Sequence, residues 1–286
     1  MISPEKKSKS EKNKNEKNMQ NVINTKSQPK SQPKKDKKTG SKKVNNEIYI
    51  VGAGPGDEKL ITVKGRELLK KADLVIYAGS LVNPKVLEYT KGECVDSYGL
   101  TLDETTKLTV DAVNAGKRVV RLHSGDPALY GSIVEQTEEL KKYGIFAKRV
   151  PGVSSVFAVA AALETQFTLN NVSDSLIITR PAGTTLESDQ IAEFSEMGVT
   201  MAIFLGTQKI EEIMNKVRCP KTTPVAVVFH ASWEDEEVIR GTVADIAKKV
   251  KDAGIKRSAM IIIGDVVDPK NYAKSYLYGV KQGPLD

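Results

Sequence analysis

Apolar residues along this chain fall into short runs closed by glycine, proline or serine, and stretches with helical spacing separate the runs. The first run, residues 47–51, ends at Gly52-Ala-Gly-Pro-Gly-Asp57, and helical spacing follows over 62–71. Runs at 74–77, 93–96, 118–123 and 146–150 read as further strands, because short apolar, β-branched runs bounded by turn formers suit a buried strand. Between them the spacing predicts a short helix over 84–89 and longer ones over 102–115 and 132–143, with Gly116 and Gly144 as C-terminal stops. Pro151-Gly-Val-Ser-Ser155 then opens an alanine-rich helix reaching Leu163. Strands alternating with helices over short connections predict an α/β fold, with a mostly parallel sheet covered on both faces.

Residues 165–174 are polar and carry neither period, so they read as a linker between an N-terminal α/β domain (47–164) and a C-terminal α+β domain (175–286). The second half has strand patterns at 175–180, 200–205, 224–229, 237–240 and 259–266, with helices running to about 197, over 208–217 and up to 253. Residues 276–278 suggest an added edge strand, and some of the pairs should be antiparallel. No internal repeat is visible.

Composition changes this picture at one end. The formal charge of +7 is uneven: residues 1–46 hold 14 Lys and 4 acids, whereas the remainder sums to −3. Residues 1–46 have no aromatic side chain and few apolar ones, so they are expected to be a disordered Lys-rich tail. Such a tail solvates the protein or touches polyanions weakly. The mildly acidic remainder disfavours a nucleic-acid-binding module. No apolar run is long enough to span a bilayer. Cys94 and Cys219 stand far apart and in no metal-ligand spacing, which fits a reducing cytoplasm and gives no metal site.

The chemistry concentrates in Arg121-Leu-His-Ser-Gly-Asp-Pro-Ala-Leu-Tyr-Gly131, where a strand gives way to a tight loop. In open α/β sheets ligands bind at such strand ends, where backbone groups are free. Gly125 allows close approach of another group, Asp126 brings a carboxylate, and Pro127 suits the first helical position. An ordinary turn capped by Asp126 is the plainer alternative. Gly52-Ala-Gly-Pro-Gly-Asp57 sits where a nucleotide loop would, yet it fits neither nucleotide template. Its third glycine comes one residue early for a dinucleotide fingerprint, and Asp57 replaces the lysine of a phosphate-binding loop. Pro55 lacks an N–H, and Ala78-Gly-Ser80 offers no acid for a ribose. A neutral or cationic ligand suits this loop better than a phosphate.

Together these stretches resemble the tetrapyrrole methylases. The resemblance is carried by Val51-Gly-Ala-Gly-Pro-Gly-Asp57, the 121–131 stretch, Pro151-Gly-Val-Ser-Ser155, Ile177-Ile-Thr-Arg180, Pro224-Val-Ala-Val-Val228 and Arg240-Gly-Thr-Val-Ala-Asp-Ile246. Tyr77-Ala-Gly-Ser-Leu-Val82 and Ala231-Ser-Trp233 point to the branch that methylates C11 of a corrin precursor in cobalamin synthesis. It implies two α/β domains with S-adenosylmethionine bound in a trough between them, usually in a homodimer. Carried over by motif, cofactor contacts fall on Pro55, Gly125, Asp126, Leu129, Ser154, Ser155, Leu205 and Ala231. Other corrin-ring methylases, uroporphyrinogen-III methylase and diphthine synthase are the rivals within the family, and a nucleotide-binding enzyme is the rival outside it.

Such a tetrapyrrole substrate carries several carboxylates, so Arg or Lys clamps are expected in the trough. Arg121, Arg180 and His230, at strand ends, are the candidates. Asn170-Asn171, Phe229-His230 and the acid-free loop after the second strand depart from related sequences, and no catalytic base is transferred from them. Direct displacement at a sulfonium needs no metal.

Overall fold

The computed structural model describes residues 46–274. The basic tail and the expected edge strand at 276–278 lie outside the described residues. No helix among the described residues is long and apolar enough to cross a membrane.

Five strands form the first sheet: β1 (Glu47–Gly52), β2 (Leu74–Tyr77), β3 (Glu93–Asp96), β4 (Val119–His123) and β5 (Phe146–Val150). Their order is β3-β2-β4-β1-β5, and every pair is parallel. The centre reads as a continuous apolar run because both faces are covered: Ile48, Ile50, Val51, Val120 and Leu122 are buried. The crossover helices are α1 (Val63–Lys71), α2 (Leu102–Asn114) and α3 (Ile133–Lys141). Thr101 and Glu104 close a capping box at the start of α2, each satisfying a free backbone N–H of the first turn.

The second sheet holds β6 (Leu176–Thr179), β7 (Thr200–Ile203), β8 (Pro224–Phe229), β9 (Glu237–Thr242) and β10 (Ala259–Ile263), in the order β6-β7-β10-β8-β9. β6 and β7 are parallel, while β10 runs antiparallel to both β7 and β8. One face packs on α5 (Ile191–Ser195), α6 (Ile210–Lys216) and α7 (Ile246–Asp252) through Ile191, Ile213, Ile246 and Val250.

The opposite face is covered by α4 (Ser155–Ala162), which follows the first sheet in sequence. Val156, Ala158, Val159 and Leu163 share a core with Ala202, Ala226, Val228, Met260 and Ile262. α4 is apolar nearly all round, although only one side of it is buried and Phe157 stands exposed on the other. Residues 165–174 join the same core. Phe167 is buried, the Thr165 hydroxyl donates to the Val266 carbonyl at 2.8 Å, and the Thr200 hydroxyl donates to that of Phe167 at 2.8 Å. The polar segment is thus a packed connection and not a free tether.

Candidate functional site

Three loops leave the C-terminal edge of the first sheet from the adjacent strands β4, β1 and β5, and their backbones are laced together. Ala53 N–H donates to the His123 carbonyl at 2.7 Å, and Gly125 N–H to that of Gly54 at 2.8 Å. The lacing needs glycine: a Cβ on Gly152 would stand 2.2 Å from the Gly125 oxygen, and one on Gly52 would stand 2.6 Å from the same atom. Gly125 is held by a different constraint. Its φ is +61°, but a Cβ there would meet nothing nearer than 3.5 Å.

Asp126 accepts from Ala128 N–H at 2.8 Å and from Gly152 N–H at 2.9 Å, so its carboxylate ties the β4 loop to the β5 loop. Pro127 does not open a helix, contrary to expectation. It begins a separate turn, and α3 starts at Ile133 after two left-handed residues, Tyr130 and Ser132. The extra turn carries Leu129 and Tyr130 out over the sheet edge.

The facing edge of the second sheet is built from strained side-chain-bearing residues. Leu205 after β7, His230 after β8 and Ser258 before β10 all have positive φ, between 46° and 58°. Non-glycine residues in such conformations cost on the order of 1–3 kcal/mol each and cluster at functional sites. β10 starts at this edge because it is antiparallel to its neighbours.

The two edges are clasped. Trp233 Nε1–H donates to the Pro55 carbonyl at 3.1 Å, and Asp57 N–H donates to Ser232 Oγ at 3.1 Å. Gly56 has to be small here, because a Cβ would lie 2.0 Å from the indole ring. Lys85 and Glu234 add an exposed ion pair. Asp57 itself caps a turn, accepting from Lys59 N–H at 2.8 Å.

Between the edges lies a cavity of about 570 Å³. Pro55, Gly125, Asp126, Leu129, Ser154, Ser155, Leu205 and Ala231, expected at a cofactor, all line it. His230 lines it too, its ring stacked between Phe229 and Trp233 at 3.7 and 4.5 Å and its Nδ1 2.9 Å from Asp235.

Residues 47–247 match the model of the Tetrapyrrole (Corrin/Porphyrin) Methylases. The chain belongs to the tetrapyrrole methylase family. It is 51% identical, over 82% of its length and 93% of the relative's, to a cobalt-precorrin-4 C(11)-methyltransferase of Methanocaldococcus jannaschii. It is similar in structure to a cobalt precorrin-4 methyltransferase of cobalamin biosynthesis, with a TM-score of 0.75 at 40% identity, covering 79% of this chain and 97% of that one. A uroporphyrin-III C-methyl transferase from Thermus thermophilus, complexed with S-adenyl homocysteine, superposes with a TM-score of 0.66 at 27% identity, covering 78% and 93%.

Two of the three substrate candidates stand elsewhere in this tetrapyrrole methylase. Arg121 does not reach the cavity. It points from mid-sheet toward α2 and α3, where it donates to Ser97 Oγ at 2.8 Å and to Gln136 Oε1 at 3.3 Å. Burial pushes its pKa down to about 10, against the pull of Asp96. Strand alternation puts Arg121 on the same face as His123 but two residues back from the strand end, where α2 and α3 cover it. Arg180 reaches the cavity only through Tyr130, whose ring it overlies at 5.8 Å, and it donates to Thr185 Oγ1 at 2.9 Å.

The cations that do line the cavity are Lys256 and Arg257, ahead of β10, neither of them paired among the described residues. Ser80, Leu81 and Tyr98 line it from the β2 and β3 loops. These last three could have been found from the rule that ligands meet strand C-termini. Lys256 and Arg257 could not, because only the antiparallel direction of β10 brings them to this edge. Asp96, at the end of β3, accepts from Tyr98 N–H and Gly79 N–H, both at 2.8 Å, which holds its carboxyl below the usual range. The loop after β2, lacking an acid of its own, is therefore shaped by one from the neighbouring strand.

Proposed function

We propose that this chain methylates C11 of cobalt-precorrin-4 or precorrin-4 in cobalamin biosynthesis, using S-adenosylmethionine. The observation that carries the reading is the 51% identity to a cobalt-precorrin-4 C(11)-methyltransferase across 93% of that relative. S-adenosylmethionine supplies the methyl group as a sulfonium. The residues fit such a cation. The carboxylate that lines the cavity, Asp126, already accepts two backbone N–H groups, so it is not a bare anion that would over-stabilise the sulfonium ground state. Pro55, Gly125, Asp126, Leu129, Ser154, Ser155, Leu205 and Ala231 would hold it. Much of the rate enhancement would then come from alignment and exclusion of water between the clasped edges.

Lys256 and Arg257, with His230, would meet the carboxylates of the tetrapyrrole in place of Arg121. The same reading includes a cytoplasmic homodimer and a basic tail in weak contact with polyanions. The test is a methylation assay with labelled S-adenosylmethionine and a panel of precorrin intermediates, locating the new methyl by NMR. Label at C11 is the expected result, and label at another carbon would replace the substrate assignment. A thermal shift with S-adenosylhomocysteine and none with NAD is expected beside it. A shift with NAD alone would sink the reading.

A further inference from the structure

His123 ends β4 and lines the large cavity, yet one of its ring nitrogens has no evident purpose. Nε2 is fully buried and has no hydrogen-bond partner among the described residues, the only side-chain atom of that kind there. Buried polar atoms are nearly always paired, so an orphan calls for an occupant that the chain does not supply.

The surroundings decide what Nε2 can do. The Gln136 amide is oriented by its neighbours. Its Nε2 donates to the Gly131 carbonyl at 3.1 Å and the Ser132 carbonyl at 3.3 Å, while its Oε1 accepts from Arg121. The oxygen of Gln136 is therefore the end that hydrogen-bonds the imidazole, and an oxygen can only accept. Because Nε2 has no partner, that contact falls to Nδ1, and a ring N–H placed there leaves Nε2 with a bare lone pair. Burial first, and the Arg121 charge second, hold the ring neutral by lowering its pKa to about 4. The lone pair is thus available throughout the neutral range.

Methylation of a ring carbon creates a demand for such an acceptor. The electron pair of the broken C–S bond stays on sulfur, and the new C–C bond takes a pair from the ring π system. The macrocycle thereby gains one positive charge and must release one proton. Resting on the functional reading above, we propose that His123 Nε2 is the acceptor of that ring proton, passing it afterwards to solvent. Arg121, whose charge adds to burial in keeping the ring neutral, and Gln136, which sets its tautomer, are positioning residues.

The chain has two histidines, so ¹⁵N NMR of histidine-labelled full-length protein, with His230→Gln for assignment, reads the tautomer directly. An unprotonated Nε2 on His123 is expected at neutral pH, and a protonated one would overturn the inference. Single-turnover methyl transfer to enzymatically prepared cobalt-precorrin-4 or precorrin-4 then compares wild type with His123→Phe and His123→Ala. Both variants should bind S-adenosylhomocysteine as wild type does, while transfer slows by about a hundredfold or more. Added imidazole should restore part of the rate in His123→Ala only, which a merely structural role would not produce. A Phe variant that transfers at the wild-type rate, an Ala variant that imidazole does not rescue, or lost S-adenosylhomocysteine affinity would each overturn the inference. Wild-type protein that binds S-adenosylhomocysteine but methylates neither substrate would instead remove the functional reading, and this inference with it.

Discussion

The two edges that face the cavity solve the same problem with different materials. On the first sheet the loops are backbone packed on backbone: Gly52, Gly125 and Gly152 meet with no room between two of the three for a methyl group. On the second sheet Leu205, His230 and Ser258 hold left-handed conformations that glycine would adopt freely, and each keeps its side chain. Where a site needs bare backbone, glycine is the residue that packs. Where it needs a side chain aimed from a tight turn, the strain is tolerated because the surrounding structure over-determines it.

The contrast can be broken most severely at Gly152. Gly152→Ala should cost about 3 kcal/mol or more, since its Cβ meets two backbones that cannot both retreat. Gly125→Ala should cost only about 1–2 kcal/mol, the penalty for a left-handed alanine, with weaker S-adenosylhomocysteine binding. Denaturant melts beside calorimetric titration measure both. Equal losses would mean that the lacing is not the tight part of the loops.

A smaller effect separates the edges by pH. Above about pH 6.5 His123 is neutral folded or unfolded, and its contribution is fully present. As pH falls toward about 4, the unfolded chain takes up a proton that the folded one refuses, so stability drops, by no more than about 3 kcal/mol. Melts at about pH 7 and pH 5 should show a steeper loss for wild type than for His123→Phe. Parallel losses would mean that the ring is not held neutral by burial.

The smallest expected effect lies on the second edge. Leu205→Gly would cost about 1 kcal/mol in chain entropy at an ordinary position. Here relief of the left-handed strain should bring the net change close to zero, and Leu205 is 64% exposed, so little packing is lost. A melt showing the full ordinary penalty would mean that this edge is unstrained.

Much of this architecture was legible before any coordinates. Strands β1, β2 and β4 fall where short apolar runs predict them, because a strand covered on both faces must be largely apolar, and the exposed edge strands β3 and β5 were marked instead by the turn formers that bound them. Six of the eight expected cofactor residues follow β1, β4 or β5, whose ends share one edge because that sheet is parallel, while Leu205 and Ala231 follow β7 and β8, which point the same way because both run antiparallel to β10.

Other features depend on partners distant in sequence. The pattern of Arg121-Leu-His123 says that Arg121 and His123 share a face, but not that α2 and α3 cover it at Arg121 while His123 meets the cavity. Residues 165–174 look like a tether because several of their polar groups are satisfied by Thr200, Val266 and Asn271, far along the chain. Lys256 and Arg257 precede a strand, and a strand's start marks the ligand edge only when the strand runs antiparallel to its neighbours. Local periodicity determined which residues are strand, helix and turn. Strand direction, the crossing of α4 to the second sheet and the isolation of His123 Nε2 were decided by tertiary packing, because each is a relation between groups whose separation in sequence carries no periodic signal.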